Sequence, residues 1–234
     1  MTFLTLRKWL GIELIEVSLT EKLVAAIGGG LSILILTLLA FWALPDSGAT
    51  AVIASMGASA VLLFAVPHGQ LSQPWPLIMG HTISALIGVA CAQSIPNLAV
   101  AAACAVGLAI GAMHVLKCIH PPGGATAFTA VMGGEAIHAL GFEFVVFPVL
   151  TNALVMLVLA IAINGAFKWR RYPTALNRPI RSVKSAQPAP PPPSHEEILI
   201  AIKSLDSFVD ISEEDLIYLL ELLNRPSITS RPKT

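Results

Sequence analysis

The chain is poor in charge. Lys, Arg, Asp and Glu make up 12% of its 234 residues, against about 25% in an ordinary soluble domain. No Lys or Arg stands between Lys22 and Lys117, or between Lys117 and Lys168. Stretches this long without a cation exclude a fold with a hydrated surface, and no nucleic-acid partner is expected. Cysteine is scarce as well. Cys91, Cys104 and Cys118 lie in or beside apolar runs without metal-ligand spacing, which leaves them as small apolar side chains. HExxH, a nucleophile elbow and a P-loop are all missing, and no carboxylate pair lies deep in apolar sequence. The expectation is a chain that is no enzyme and no ATP-hydrolysing pump, with no metal and no cofactor.

What is present is apolar. Hydrophobic residues make up 55% of the chain and its mean hydropathy is +0.77, so the chain is an integral membrane protein and the bilayer is its first partner. About 20 apolar residues cross a hydrocarbon core of about 30 Å. Leu23–Leu44, Pro76–Ile95, Leu98–Leu116 and Phe144–Phe167 meet that length. Ala49–Val66 is just long enough, and Gly123–Gly134 is short and then turns polar at Glu135, His138 and Glu143, a solvated loop by its composition. The fold class expected is therefore all-α and membrane-embedded. Residues 23–168 form the membrane domain, with repeats at about 23–96 and 98–168. Residues 1–22 precede it as an interfacial helix. Residues 169–193 follow as a linker, basic and then proline-rich. Residues 194–234 form a tail of two short helices with capping-box spacing.

The repeats rest on one decapeptide. GATAVIASMG, from Gly48 to Gly57, returns as GATAFTAVMG from Gly124 to Gly133, identical at seven of ten positions. Each half reads as long helix, small-residue segment, long helix. If the small segments cross, there are six spans and the repeats are inverted, three plus three. If they are re-entrant, there are four spans and the arrangement is two plus two. Cytoplasmic flanks collect Lys and Arg. The six-span order puts Lys117 with the amino end and the Lys168–Lys184 cluster in the cytoplasm, and it is preferred for that reason.

The densest polar group in the apolar region is Lys117–Gly124, KCIHPPGG. Paired prolines end the helix before them, and the next helix is expected to begin near Ala125. Its first N–H groups would face the break and suit an anion. Lys117 and His120 strengthen that preference. The candidate anion-binding residues are Lys117, His120, Gly123, Gly124, Ala125 and Thr126, with Gly48, Ala49 and Thr50 as their counterparts in the first repeat. The anion is expected between the two helix starts. His81 and Asn152, in the spans that follow each repeat, join the set because intramembrane polar groups are functional suspects by default. The bland alternatives are that Lys117 marks the interface, that His120 caps a helix or bonds a carbonyl, and that His81 and Asn152 tie helices together.

At His120-Pro121-Pro122 the sequence resembles the HPP family of integral membrane proteins. HPPGGATA (His120–Ala127), GASAVLLFAVP (Gly57–Pro67) and QPWPLIMGHTISALIGV (Gln73–Val89) carry the resemblance, which covers roughly residues 20–170. Cyanobacterial and plastid members are similar to nitrite transporters of nitrogen assimilation. The resemblance therefore implies uptake of a small anion, with nitrite leading, across a prokaryotic plasma membrane with both termini cytoplasmic. Family descriptions usually count four spans, against the six preferred from charge. Nitrate, formate and bicarbonate remain open as alternatives, as does a membrane-embedded sensor or scaffold signalling through its tail. Exposed small-residue faces suggest a homo-oligomer, and the tail a regulatory protein partner.

Overall fold

A computed structural model describes residues 17–43 and 49–176, without the side chains of 43 and 49–53. The expected amino-terminal helix, Asp46–Gly48, the proline-rich linker and the tail helices lie outside the described residues. Every described element is helical, in the order α1 (Leu19–Ala43), α2 (Ala49–Ala65), α3 (Pro74–Ser94), α4 (Leu98–Val115), α5 (Pro121–Met132), α6 (Glu135–Leu140) and α7 (Thr151–Gly165). A wide-wound turn, Val145–Leu150, leads into α7, and short 3-10 turns include Gln70–Ser72 and Lys168–Arg170.

Among the described residues, four segments are long and apolar enough to cross a membrane: α1, α3, α4 and Val145–Gly165, which is kinked at Phe147 (φ −133°, ψ 117°) before it runs on into α7. At 1.5 Å per residue, the 17 residues of α2 span about 25 Å and the 12 of α5 about 18 Å. The segment expected to cross as a helix at Gly123–Gly134 is thus too short to do so as helix alone. The reason lies at its ends. Gly133 and Gly134 stop it, and Gly134 adopts φ 79°, a conformation that suits glycine. The expected loop beyond contains α6, whose Ile137 is buried and whose His138 Nε2 donates to the Val131 carbonyl (2.8 Å).

Contacts fix the direction of each helix. Arg170 bonds both Glu21 at the start of α1 and the carbonyl of Phe64 at the end of α2, so these two run antiparallel. Ile163, late in α7, touches Gly28 of α1. Trp75 Nε1, at the start of α3, donates to the carbonyl of Leu116 just past α4 (3.1 Å). Gly80 of α3 meets His120 at the start of α5, and Gly88 meets Ala127 and Ala130 further along it. The two helices α3 and α5 are therefore parallel. The start of α1, the ends of α2, α4 and α7 and the start of α3 all lie at one end of the bundle, called here the near end.

Packing is close because the contact faces are small. A Cβ on Gly88 would stand 2.7 Å from the Ala127 carbonyl and from Ala130 Cβ, the approach that glycine allows between membrane helices. Two apolar clusters result. One runs from Leu36 through Phe64, Leu77 and Val149 to Ala160, and the other from Cys91 through Ala105 to Val131. Packing continues past the boundary expected at residue 168. Arg170 and Tyr172 are buried, and the Tyr172 hydroxyl donates to the Ser72 carbonyl (2.7 Å).

Candidate functional site

Where α2, α3 and α5 meet, about two turns in from the near end, four polar side chains form a continuous chain within the apolar bundle. Ser59 Oγ of α2 lies 2.8 Å from His81 Nε2 and 2.9 Å from His120 Nε2. His81 Nδ1 lies 2.7 Å from Thr126 Oγ1 of α5. His120 Nδ1 lies 2.8 Å from the carbonyl of Leu71. All four side chains are buried, and the imidazole centroids stand 5.0 Å apart.

The proton order follows from one fixed point. A carbonyl only accepts, so His120 Nδ1 carries a hydrogen and donates to Leu71. With both rings neutral, His120 Nε2 is then an acceptor and takes the Ser59 hydroxyl hydrogen. Ser59 Oγ accepts in turn from His81 Nε2–H, and His81 Nδ1 accepts from the Thr126 hydroxyl. Every donor in the series points from Thr126 toward Leu71. The longer contacts, Ser59 to the Ser55 carbonyl and Thr126 to the Pro122 carbonyl, are both 3.3 Å and secondary.

Close backbone contact makes this arrangement possible. A Cβ on Gly80 would lie 2.6 Å from His120 Cβ and 3.1 Å from the Cys118 carbonyl. One on Gly123 would lie 2.7 Å from the Gly80 carbonyl and 2.9 Å from Ser84 Oγ. Glycine at both positions lets the 118–123 segment rest against α3, which brings His120 beside His81.

At the near end, Gln70, Leu71, Gln73, Pro76, His114, Lys117 and Ile119 line an open cleft of ≈ 420 Å³. Lys117 closes α4 in a Schellman arrangement: its N–H bonds the His114 carbonyl (3.2 Å) and Cys118 N–H reaches back to Met113 (2.9 Å). Glycine usually fills this place, because the backbone there is left-handed. Lys117 holds φ 53°, at a cost of about 1 kcal/mol or more. Strained positions of this kind cluster at functional sites, although a cation also suits a helix carboxyl end.

The remaining expectations are met unevenly. The helix after the break starts at Pro121, four residues earlier than expected. Proline at the first helical position gives up an N–H that would have had no partner. Pro121 and Pro122 have no N–H to offer an anion, and Gly123 N–H bonds the His120 carbonyl (2.8 Å). Gly124 and Ala125 fall inside the helix. His120 takes the N-cap position, yet its ring does not cap. Nor do the two helix starts face each other. Ser59 meets His120 at the start of α5, and Ala49 lies ten residues back along α2, about 15 Å away. Gly48 and the side chains of Ala49 and Thr50 lie outside the described residues. Asn152 is buried on α7, apart from the histidine chain, and its Nδ2 has no hydrogen-bond partner among the described residues.

Sequence reasoning missed Ser59, the hydroxyl that joins the two histidines. Its one signal is Ser55, a turn earlier, which gives that face of α2 a polar stripe. It also missed Glu21 with Arg170, a buried ion pair between the start of α1 and the segment after α7.

The family described as HPP, transmembrane region, matches residues 15–173. Two curated proteins of Dictyostelium discoideum, each named only as a transmembrane protein, are similar to the chain. One is 43% identical over 145 residues, 60% of this chain and 50% of the relative. The other is 38% identical over 173 residues, 71% of this chain and 55% of the relative. The chain thus spans about half the length of the curated relatives it matches. No solved structure matches it.

Proposed function

We propose, from the premise that this chain belongs to the HPP transmembrane family, that it carries a small inorganic anion across a membrane. Nitrite is the first candidate, for nitrogen assimilation, because the motifs resemble members similar to nitrite transporters. The observation that carries the reading is the cleft. A lysine held at a glycine position and His114 line it, Gln70 adds an amide donor, and the buried histidine chain ends at Leu71 of its wall. Lys117 attracts the anion, and the Gln70 amide can hydrogen-bond it. The chain acts by binding and release, without covalent chemistry.

An inverted three-plus-three repeat fits this role, since such repeats hold substrate where their halves meet. Pair α1 with α4, α2 with α5 and α3 with α7. The principal helix contacts are α1 with α2, α4 with α5, α3 with α4, α1 with α7, α3 with α5, α2 with α7, α2 with α5, and α3 with α7. Exchanging partners returns the same set. Successive passes also alternate in direction if the extended 117–120 segment completes the short fifth one. Lys117 then shares the near end with Lys168 and Arg170, which supports a cytoplasmic near end. On α4, Ala103, Gly107 and Gly111 form an exposed stripe of small residues, and a Cβ on either glycine would meet nothing within 4 Å. Such a stripe suits a second copy of the chain.

The test is nitrite entry into liposomes holding the purified full chain, with nitrate as competitor. Saturable entry that nitrate barely inhibits supports the reading. Entry no faster than into empty liposomes, with the protein shown to be inserted, ends it for nitrite and moves the search to other anions.

A further inference from the structure

We infer that the Thr126–His81–Ser59–His120 chain is a proton path, and that one proton travels along it with each anion; the coupling, though not the path, rests on the anion-transport reading above. Helices can be tied together by single hydrogen bonds between pairs of side chains. Here four side chains from α2, α3, α5 and the segment before α5 stand in series, each within 2.9 Å of the next. Each ring hydrogen has one acceptor and each hydroxyl hydrogen its shortest contact within the series, all in one direction. The series ends at Leu71, which lines the cleft that Lys117 also lines.

The transfer balances atom by atom. A proton arriving at the Thr126 end bonds to Thr126 Oγ1 as the hydroxyl's own hydrogen passes to His81 Nδ1. His81 releases its Nε2 hydrogen to Ser59 Oγ, and Ser59 releases its own hydrogen to His120 Nε2. The positive charge, which entered at His81, now rests on His120 as an imidazolium. It leaves when the Nδ1 hydrogen passes to water in the cleft as the bond to Leu71 opens. The series is then reversed, with the bare Nδ1 of His120 facing the Leu71 carbonyl, lone pair against lone pair. That contact disfavours the reversed order, and the starting order returns when the side chains separate and each ring gives up its new hydrogen to water and takes one back on its other nitrogen. Ring centroids 5.0 Å apart keep a second positive charge off the pair.

The surroundings add no competing charge. Toward the pair, α2 presents Ser55 and Ser59, α3 presents Ser84 and Gly80, α5 presents Thr126, and the linking segment presents Cys118, whose thiol is buried. The Gln70–Ser72 turn presents its Leu71 carbonyl. No carboxylate, lysine or arginine among these described residues faces the rings. Lys117 and His114 stand in the cleft.

Two measurements on the full chain in liposomes test the inference. The first records internal pH with an entrapped dye after nitrite addition, at a voltage fixed by potassium and valinomycin. Wild type and Ser59→Thr are expected to move protons with nitrite, and Ser59→Ala to lose at least tenfold of that movement. Nitrite entry without proton movement in wild type, or full movement in Ser59→Ala, overturns the coupling. Absence of nitrite entry in wild type counts against the substrate reading instead, and the second measurement then decides the path. It is nitrogen-15 NMR of labelled histidine, with the six histidines assigned by single His→Gln variants. In wild type, His120 is expected to carry its hydrogen on Nδ1 and His81 on Nε2, and acidification to load one proton per pair. Ser59→Ala is expected to let the rings titrate independently. The opposite tautomers, or independent titration in wild type, overturn the path.

Discussion

A Cβ placed on Gly80 would stand 2.6 Å from Cβ of His120. The gap between α3 and the start of α5 therefore depends on one missing methyl group. Gly80→Ala is expected to cost about 1–3 kcal/mol by overpacking and to displace the His120 ring from Ser59. Gly88→Ala, which meets Ala127 and Ala130 as tightly, is the control for packing alone. Thermal unfolding should fall in both variants. Uptake per folded molecule should fall at least tenfold in Gly80→Ala and much less in Gly88→Ala. Equal uptake in the two would show that the Gly80–His120 contact serves packing and nothing more.

Gly124 is the opposite case, because nothing lies within 4 Å of a Cβ built there. It sits inside α5, where glycine costs about 0.5–1 kcal/mol relative to alanine. Gly124→Ala is expected to raise stability by that amount and leave uptake unchanged. A sharp loss of uptake would revive the backbone cradle that the sequence suggested around Gly124 and Ala125.

Lys117 separates charge from strain. Lys117→Gly relaxes a left-handed backbone position and should stabilise the fold by about 1 kcal/mol. It also removes the cation from the cleft, so uptake should fall, as in Lys117→Ala. Lys117→Arg keeps the cation and should retain most uptake. Thermal unfolding and initial uptake rates across the three variants check this. Full uptake in Lys117→Gly would reduce Lys117 to an interface marker.

The long helices were legible because a run of some 20 apolar residues has few other uses. Leu98–Leu116 was expected, and the helix is Leu98–Val115. The start of α5 is less legible, because Pro121-Pro122 reads locally as a stop. A proline that ends one helix can equally open the next, and local sequence does not say which. His81 and His120 stood out as ionisable groups in apolar surroundings, but their meeting did not. It depends on Ser59, which lies 22 and 61 positions from its partners and reads locally as one more small residue of α2. Glu21 and Arg170, 149 positions apart, were hidden the same way. One passed for an interruption in an apolar run and the other for a member of a basic cluster. Chemistry that arises from distant pairing leaves no local period to find.

That pair yields the last prediction. Arg170 is 1% exposed and Glu21 4% by side chain, so each charge depends on the other. Arg170 also donates to Asn164 Oδ1 through Nε and Nη2 (3.2 and 3.1 Å) and to the carbonyl of Phe64, while Asn164 Nδ2 holds the carbonyl of Leu63 (3.1 Å). The last turn of α2 thus takes its carbonyl partners from the segment after α7, and Trp169 Nε1 fixes the second Glu21 oxygen (3.0 Å). Removing one partner leaves a buried charge alone. Glu21→Leu and Arg170→Met are each expected to cost about 3–5 kcal/mol. The double variant removes both charges and should recover part of that loss. It should still fall short of wild type by about 1–3 kcal/mol, because the Phe64 carbonyl and Asn164 Oδ1 stay buried without their donor. Unfolding of the four proteins in one detergent gives the coupling energy directly. Additive single losses would mean that the pair is hydrated in the membrane, and that the end of α2 is held by the Asn164 bond alone.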